Sequence, residues 1–488
     1  MKITLIEPKA PGVHVYSRFK LPRLGLPLLG ALLERELGIR PQIYFQELGG
    51  IDWREVAESD LVGISTITTT APGAYAILER IKQHSNIPVV MGGAHVTFLP
   101  KEGLAKGADF VIRGEAEYAF LELVKKLMQG SQDFESIPGL SYRKGGEYFH
   151  NEAVPRVDSL DDLPWPDITM IKNFEKIRVL PVMTSRGCPY NCKFCSVTKM
   201  FGRRYRFREA EDVLDEIEML HALNPDASIF FYDDNFTAKP SRTKELLQGI
   251  IDRNIKIRWT AQARVDVVKD RELLALMKKT GCRFLFLGLE SINPRTLANY
   301  RKEQTVQDIA EAVNILHEYS IKVHGMFVLG SDDDDVKTIR ETVSFARGLK
   351  IDTVQFLVLT PLPGTETYDE LWQQGRILVE DWSKYSGHHV VFNPQKMSPY
   401  QLQKEASIKS MQRFYSLWQC WKLGFRFRWR DFAMYAYAHH GISRFASRNK
   451  EFLKDLKRKH FRMRVKSEDK EVADLDYDSG SGSAPQQP

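Results

Sequence analysis

The sequence predicts an α/β protein of two successive parallel-sheet units, a doubly wound Rossmann-like sheet and then a partial (β/α)6 barrel, followed by a C-terminal helical region. Three observations carry that prediction. Short β-rich runs alternate with helix-period segments before residue 130 and again from residue 180. A proline-bearing stretch separates the two series, and beyond residue 395 aromatic and basic residues at helical spacing take over. With 488 residues, 43 % hydrophobic and 27 % charged, the chain is not disordered and suffices for roughly three domains of about 150 residues.

In the first unit the strands fall at Ile3 to Ile6, Gln42 to Phe45, Leu61 to Ser65, Val89 to Met91 and Phe110 to Ile112. Helical stretches at Leu28 to Leu37, Ala74 to His84 and Tyr118 to Met128 lie between or after them, so residues 1–135 form one domain. Its ligands belong at the C-terminal ends of the strands. Residues 136–180 hold Pro138, Pro155, Pro164 and Pro166 and a polar hairpin around Lys144 to Gly146, which reads as a linker. The second series, within residues 181–395, starts its strands at Leu180, Ile229, Ile257, Phe284, Val323 and Val354. Six units are too few for a closed barrel, and active residues belong just after each strand. Residues 396–470 read as helical and residues 471–488 as a disordered tail.

No run reaches the about 18 apolar residues of a membrane span. The first residues, Met1 to Ile6, read as a strand rather than the apolar core of a secretory signal, which predicts a cytoplasmic protein. Net charge is +6, yet residues 421–466 carry 14 Lys or Arg against 3 Asp or Glu, while residues 467–488 carry 1 against 6. The basicity is therefore local. In that stretch Trp421, Phe425, Phe427, Trp429 and Phe432 interleave with Lys422, Arg426, Arg428 and Arg430. Such a pattern suits an interfacial helix on anionic lipid, base stacking on nucleic acid, or a solvated capping bundle. Dense aromatics without Gly-rich binding elements favour a membrane surface over nucleic acid.

Five cysteines are too few and too unevenly spaced for a disulfide framework, and three crowd into Arg186-Gly187-Cys188-Pro189-Tyr190-Asn191-Cys192-Lys193-Phe194-Cys195. The spacing C-x3-C-x2-C follows directly on the first strand of the second series. Three thiolates on one loop can hold three irons of a 4Fe-4S cluster and leave the fourth iron open to a ligand. Zinc is the competing reading, but a structural zinc site needs four ligands and no second Cys or His pair lies nearby. Asp332 to Asp335 invites a metal too, but its place between the Gly330 turn and a helix reads as capping acids instead. His388-His389 and His439-His440 read as packing or surface pairs, and Cys282 as a small buried hydrophobe.

The cysteine loop, with Phe194 before its last Cys, resembles the signature of the radical S-adenosylmethionine (SAM) superfamily. The resemblance implies that SAM chelates the open iron and is cleaved on reduction to a 5′-deoxyadenosyl radical. It also implies SAM contacts after the later strands. Asp233 and Asp234 would meet the methionine amino group, Gln262 and Arg264 the carboxylate side, Glu290 the ribose, and Thr360 to Thr365 would shape the pocket wall. Each position also has a structural reading: a helix-capping carboxylate, an ion pair, a buried Glu, a loop geometry.

The first domain lacks G-x-G-x-x-G, so a dinucleotide is not indicated. Ser65, Thr66 and Thr68 follow the third strand, Gly92, Gly93 and His95 the fourth, and Glu115 the fifth. Paired glycines permit close approach of a bulky ligand. This order is similar to the cobalamin-binding domain that precedes the barrel in cobalamin-dependent radical SAM enzymes, and the resemblance covers about residues 1–395. D-x-H-x-x-G is absent, which implies cobalamin bound without a histidine on cobalt, and His95 would touch its tail or a loop. The family implies a methyltransferase acting on an unactivated carbon of a small-molecule or lipid-like substrate, with a cyclase or ring-rearranging enzyme as the alternative. It also implies a reductase, flavodoxin or ferredoxin as electron donor. A transfer-RNA methylthiotransferase is disfavoured, because no cysteine precedes Cys188.

Overall fold

The structure, a computed structural model, describes residues 1–11, 20–425 and 429–458. Its first sheet contains β1 (Ile3–Glu7), β2 (Gln42–Phe45), β3 (Leu61–Ser65), β4 (Val89–Gly92), β5 (Phe110–Ile112), β6 (Leu140–Lys144) and β7 (Glu147–His150), in the order β2-β1-β3-β4-β5-β6-β7. The first five strands are parallel, and helices Gly25–Leu37, Ala71–His84 and Glu117–Met128 cover them. Every residue of β1 is buried, as a strand sandwiched between helix layers requires. The order reverses at β1 and β3, which opens a crevice there at the strand C-termini.

β6 and β7 differ from the expected linker. They add antiparallel to β5 and extend the sheet. The turn between them is Gly145-Gly146, both at positive φ, the pair that a two-residue hairpin turn favours. β6 thereby covers the edge of β5, and Phe134, 4.9 Å from Phe110 and 5.8 Å from Tyr142, packs across the two strands.

The second sheet comprises β8 (Val179–Val182), β11 (Ser228–Phe231), β12 (Trp259–Ala263), β13 (Cys282–Glu290), β14 (Lys322–Leu329) and β15 (Thr353–Val358). All neighbours pair in parallel, in simple sequential order from β8 to β15, and the sheet stays open: a six-stranded partial barrel. A two-stranded ribbon, β9 (Ser185–Arg186) with β10 (Arg206–Phe207), brackets the cysteine loop. Trp259 is fully buried against Phe231 and Phe236, and its indole donates to Thr280 at 3.1 Å.

Beyond the barrel come helices Leu417–Phe425 and Trp429–Arg448. Just ahead of them Tyr415, at the end of helix Met411–Phe414, finishes the β15 edge: its hydroxyl accepts from the Val354 amide at 2.9 Å and sits 3.0 Å from its carbonyl. The expected tail at 471–488 lies outside the described residues. Among those described, no helix is long and apolar enough to cross a membrane. The Asp332 to Asp335 run is used by the fold. Asp335 caps helix Val336–Gly348, Asp332 pairs with Arg376, and Asp334 accepts from the Gly330 and Ser331 amides and from Thr296. Cys282 is buried, as expected, and His389 is buried against Phe445, Phe452 and Asn449.

Gly281, at φ +93 before β13, places its α-carbon so that a β-carbon would lie 2.2 Å from the Ile257 carbonyl oxygen. Gly281→Ala is expected to destabilise the barrel by about 2–3 kcal/mol, read as a lowered urea midpoint with an unchanged slope.

Candidate active site

The C-terminal strand ends of the first sheet face the mouth of the barrel across a cavity of about 360 Å³. One wall is the crevice of the first domain: Ser65 and Thr66 after β3, Gly92 and Gly93 after β4, and Glu115 and Glu117 after β5. The other is formed by residues on either side of the cysteine loop and by the end of the second barrel strand, through Met183, Arg186, Met200, Tyr232 and Asp234; the three cysteines themselves are not part of this wall. Most of the remaining wall is aliphatic, with Arg23 at one side.

The three cysteines follow β8 and β9 on a loop that is half-buried. Gly187 starts it at φ +91, where a β-carbon would lie 2.5 Å from the Arg204 carbonyl oxygen, so only glycine lets the loop fold back on β10. Its far side is held by Phe194 packed edge-on to Tyr300 at 4.9 Å and by the Lys193 amide donating to the Tyr300 carbonyl. Burial pushes all three thiols up, Cys195 to about 12, and the neighbouring cysteines and Asp234 reinforce the shift at Cys188 and Cys195. The thiols and Asp234 therefore share one electrostatic neighbourhood. Among the described residues no three His, Cys, Asp or Glu converge on a site for a single ion.

Asp233 and Asp234, expected to act together, face different ways. β8 and β11 pair Val182 with Phe231, and two residues further on this register sets Asp233 opposite Thr184. There Asp233 accepts from the Thr184 amide and hydroxyl, both at 3.1 Å, and from the Ser185 hydroxyl. It pins the start of the cysteine loop. Asp234, one residue on, opens into the cavity and makes no hydrogen bond to another described residue. Its side chain is exposed, and the desolvating protein around it together with Asp233 pushes its carboxyl up to about 7.

Gln262 donates to the Asp233 carbonyl at 3.2 Å and steadies that turn. Arg264 lies 3.7 Å over the Tyr190 ring and donates to the Lys302 carbonyl at 2.7 Å, which ties the cysteine loop to the segment after helix Pro294–Asn299. Glu290 sits at φ +59 and forms a buried ion pair with Lys302 at 2.7 Å. A β-carbon on Gly288 would fall 2.6 Å from Glu290 Oε1 and 2.7 Å from Lys302 Nζ, so that glycine makes room for the pair. Lys302 and its neighbour Gln304, which donates to the Gly288 and Leu289 carbonyls, escaped the sequence reading because they follow a helix rather than a strand.

In the first domain the expected residues divide. Ser65 and Gly92 reach the cavity, and a β-carbon on Gly92 would meet nothing within 4 Å, which leaves open space for a ligand's face. Gly93 also borders the cavity, but a β-carbon there would lie 2.3 Å from the Thr66 carbonyl oxygen; the close approach it permits is to backbone. Thr66 spends its hydroxyl on the Gly92 carbonyl at 2.9 Å. Thr68 is buried in the turn Thr68–Thr70 and is absent from the described cavity wall. His95, expected beside a cofactor, turns the other way. It is fully buried, 3.1 Å from the Tyr75 hydroxyl, 3.6 Å from Glu102 and edge-on to Trp382. The segment Thr360 to Thr365 likewise leaves the described wall; Gly364, at φ +81, lets it dock on Phe98 of the first domain.

Glu115 is the centre of a buried ionic network. Both its oxygens meet Arg206, one at 2.9 Å; one also accepts from the Val157 amide at 3.0 Å and lies 3.5 Å from Arg186. Arg186 in turn pairs with Glu117 at 2.6 Å. These residues link the loop after β5 to both strands of the ribbon around the cysteines. Burial alone would raise the Glu115 carboxyl, but Arg206 and Arg186 hold it below its ordinary range.

Two opposed α/β units, a three-cysteine loop at a barrel mouth and a glycine-bordered crevice facing it define an enzyme that works through large cofactors. Two family models match the chain, the B12 binding domain over residues 14–124 and the radical SAM superfamily over residues 182–346. An uncharacterized methyltransferase of Pyrococcus horikoshii is 33 % identical over 379 residues, covering 75 % of this chain and 82 % of the relative. Bacteriochlorophyllide d C-12(1)-methyltransferase of Chlorobaculum tepidum is 30 % identical, over 73 % and 75 %. An anaerobic magnesium-protoporphyrin IX monomethyl ester cyclase of Cereibacter sphaeroides is 31 % identical, over 76 % of this chain and 62 % of that one. In fold the chain resembles the radical SAM methyltransferase TsrM of Kitasatospora setae, with a TM-score of 0.64 at 22 % identity, over 77 % and 78 % of the two chains. The chain belongs to the radical SAM superfamily, in the group that carries a B12-binding domain ahead of the barrel. Its cofactors are those of the group: a 4Fe-4S cluster, SAM and cobalamin.

The residues present fit these groups. Three thiols on one half-buried loop suit a cluster better than a single ion, the space over Gly92 suits a flat macrocycle, and Asp233 Oδ2 and Arg264 Nε are buried without a hydrogen-bond partner at the barrel mouth.

Glu115→Ala would strand Arg206 in the interior and is expected to cost about 3–5 kcal/mol, measured by chemical denaturation; pairing it with Arg206→Met recovers part of the loss. The Glu115 carboxyl is depressed in the folded state. Its stabilisation is therefore full above the ordinary value of 4.5 and is lost as pH falls through the lower folded value, so Glu115→Gln flattens the acid limb of a stability–pH curve.

Proposed function

We propose that this enzyme is a cobalamin-dependent radical SAM methyltransferase that alkylates an unactivated carbon of a small-molecule or lipid-like substrate. The observation that carries the reading is the single cavity onto which the cysteine loop side and the crevice of the B12-binding domain both open. When bound, the cofactors supply hydrogen abstraction and a methyl donor, and the protein's task is to hold them in register and keep water out. Cys188, Cys192 and Cys195 provide the three thiolates. Asp234 offers the SAM amino group an unshared carboxylate, while Asp233, Gln262, Arg264 and Glu290 position the turns around it. Ser65, Thr66, Gly92 and Gly93 present the crevice floor to cobalamin, and Glu115 keeps that floor facing the barrel. An aliphatic wall around few charges favours an apolar, ring-like substrate. The relatives that act on bacteriochlorophyllide and on magnesium-protoporphyrin ester support the same class.

The electron comes from a reductase, flavodoxin or ferredoxin, and the basic stretch 421–466 provides a peripheral contact with the membrane that stores such substrates. The second reading, a cyclase without net methylation, is favoured by the 31 % identical cyclase relative. The two are separated by anaerobic reconstitution with iron, sulfide and cobalamin, followed by reductant, methyl-deuterated SAM and a tetrapyrrole or lipid extract. Methylation predicts 5′-deoxyadenosine, S-adenosylhomocysteine and a product carrying the labelled methyl, by mass spectrometry. Turnover of substrate with 5′-deoxyadenosine but no label selects the cyclase. Cys195→Ala abolishes the cluster absorbance and 5′-deoxyadenosine together. Asp234→Asn leaves the cluster in place and raises the KM for SAM about tenfold to a hundredfold, the loss of one charge-assisted hydrogen bond.

A further inference from the structure

The helix Leu417–Phe425 carries its apolar residues on the wrong side for a core helix. Leu417, Trp418, Trp421 and Phe425 are 58, 72, 63 and 78 % exposed. At about 100° per residue their positions fall within an arc of about 100°. Cys420, on the flank of that arc, is buried, so the helix meets the protein there and turns its aromatic stripe outward. Trp429, at the start of the next helix, is 61 % exposed as well.

This face is not a loose appendage. Helix Trp429–Arg448 fastens the pair to the barrel: Asp431 pairs with Lys322 at 3.1 Å, the Tyr435 hydroxyl donates to the Asp352 carbonyl at 3.3 Å, and His439 lies 3.1 Å from the Tyr415 carbonyl. Ala438 and Ile442 are buried on the same helix. The aromatic stripe is thus presented on a fixed platform.

We propose that this stripe docks the enzyme on an anionic lipid bilayer, with the exposed aromatic side chains in the interfacial layer and the net positive charge of the surrounding sequence drawing the region to the headgroups. The proposal rests on the peripheral membrane contact in the reading above and names the surface that makes it. Four large apolar side chains in nine residues are the composition of an interfacial anchor, and Trp is the residue that favours the headgroup boundary. Lys422, Arg426, Arg428 and Arg430 alternate with them in sequence, within a stretch that nets +11. That charge decides among occupants. A second copy would bring one +11 region against another, whereas an anionic surface is complementary to it. A convex helix stripe containing Leu417 also lacks the groove in which single-stranded nucleic acid stacks. Among the described residues no helix can span the bilayer, so the contact lies on the surface.

The full-chain holoenzyme is mixed with vesicles of equal parts phosphatidylglycerol and phosphatidylcholine, and with phosphatidylcholine alone, and bound protein is read by co-sedimentation. The expected result is binding to the anionic vesicles at about 0.1 M salt, at least about tenfold weaker on neutral vesicles, and loss of binding as salt rises and shortens the screening length. The W418S/W421S/F425S variant is expected to bind at least about tenfold more weakly while keeping its circular dichroism, its cluster absorbance and its 5′-deoxyadenosine formation in detergent-free buffer. W421S alone gives an intermediate loss. Wild-type protein that stays in the supernatant overturns the proposal, as does a triple variant that binds undiminished. So does a vesicle-free mass, by light scattering, that falls from dimer to monomer in the triple variant, which would assign the stripe to a second copy. So does displacement of the vesicles by a single-stranded oligonucleotide at equal charge concentration. Retained SAM cleavage alongside lost docking separates failure of this proposal from failure of the methyltransferase reading.

Discussion

Two acids and two arginines hold this molecule in its working arrangement. Glu115 and Glu117 leave the first domain just after β5, Arg186 and Arg206 stand on the two strands of the ribbon that brackets the cysteines, and all four are buried. Burying any one of these charges alone would cost several kcal/mol. Burying them together is tolerable only if their geometry is kept. The network therefore acts as a register mark between the B12-binding crevice and the cysteine loop, and the cavity between them inherits its width from that mark. Because Arg186 directly precedes Gly187 and Cys188, any shift of the first domain would reach the first cysteine of the loop within two residues.

Around this joint the barrel supplies a second layer of fixation that keeps charge near the cysteines while withholding it from the cavity. One oxygen of Asp233 is taken by Thr184 and Ser185, Arg242 donates to Thr184 at 2.8 Å, and Glu290 is paired with Lys302. Asp234 is left as the acid that opens into the cavity. The division follows from strand periodicity. Consecutive residues past a strand end point to opposite sides, so one aspartate of the pair faces the core and the other faces the ligand space.

Much of this was legible in the residues. The alternation of β and helical runs placed eleven strands within about two residues of where they lie, because parallel strands buried on both faces leave continuous apolar runs that local pattern reveals. The C-x3-C-x2-C loop was equally legible, since cluster ligation depends on spacing along one loop. The hairpin around Lys144 to Gly146 was legible as a turn, but its place in the first sheet was not. Its polar turn resembles a linker, and only the unpaired edge of β5 gives Leu140 and Tyr142 something to pack against. His95, expected by its place after a strand to touch a cofactor tail or a loop, is packed against Trp382, 287 positions later in the chain.

The sequence by itself determined the fold class, the order of the two units, the cysteine loop and the basic, aromatic C-terminal stretch, because each is written in local pattern, spacing or composition. Tertiary structure alone decided which acid of the Asp233-Asp234 pair opens into the cavity and which serves the fold. It recruited Lys302, Arg206 and Arg186 as partners for Glu290 and Glu115, and it turned the stripe of Trp418, Trp421 and Phe425 outward. The physical reason is that a charge or an aromatic ring acquires its role from what surrounds it. Those surroundings come from residues tens to hundreds of positions away, brought together only when two sheets close on one cavity.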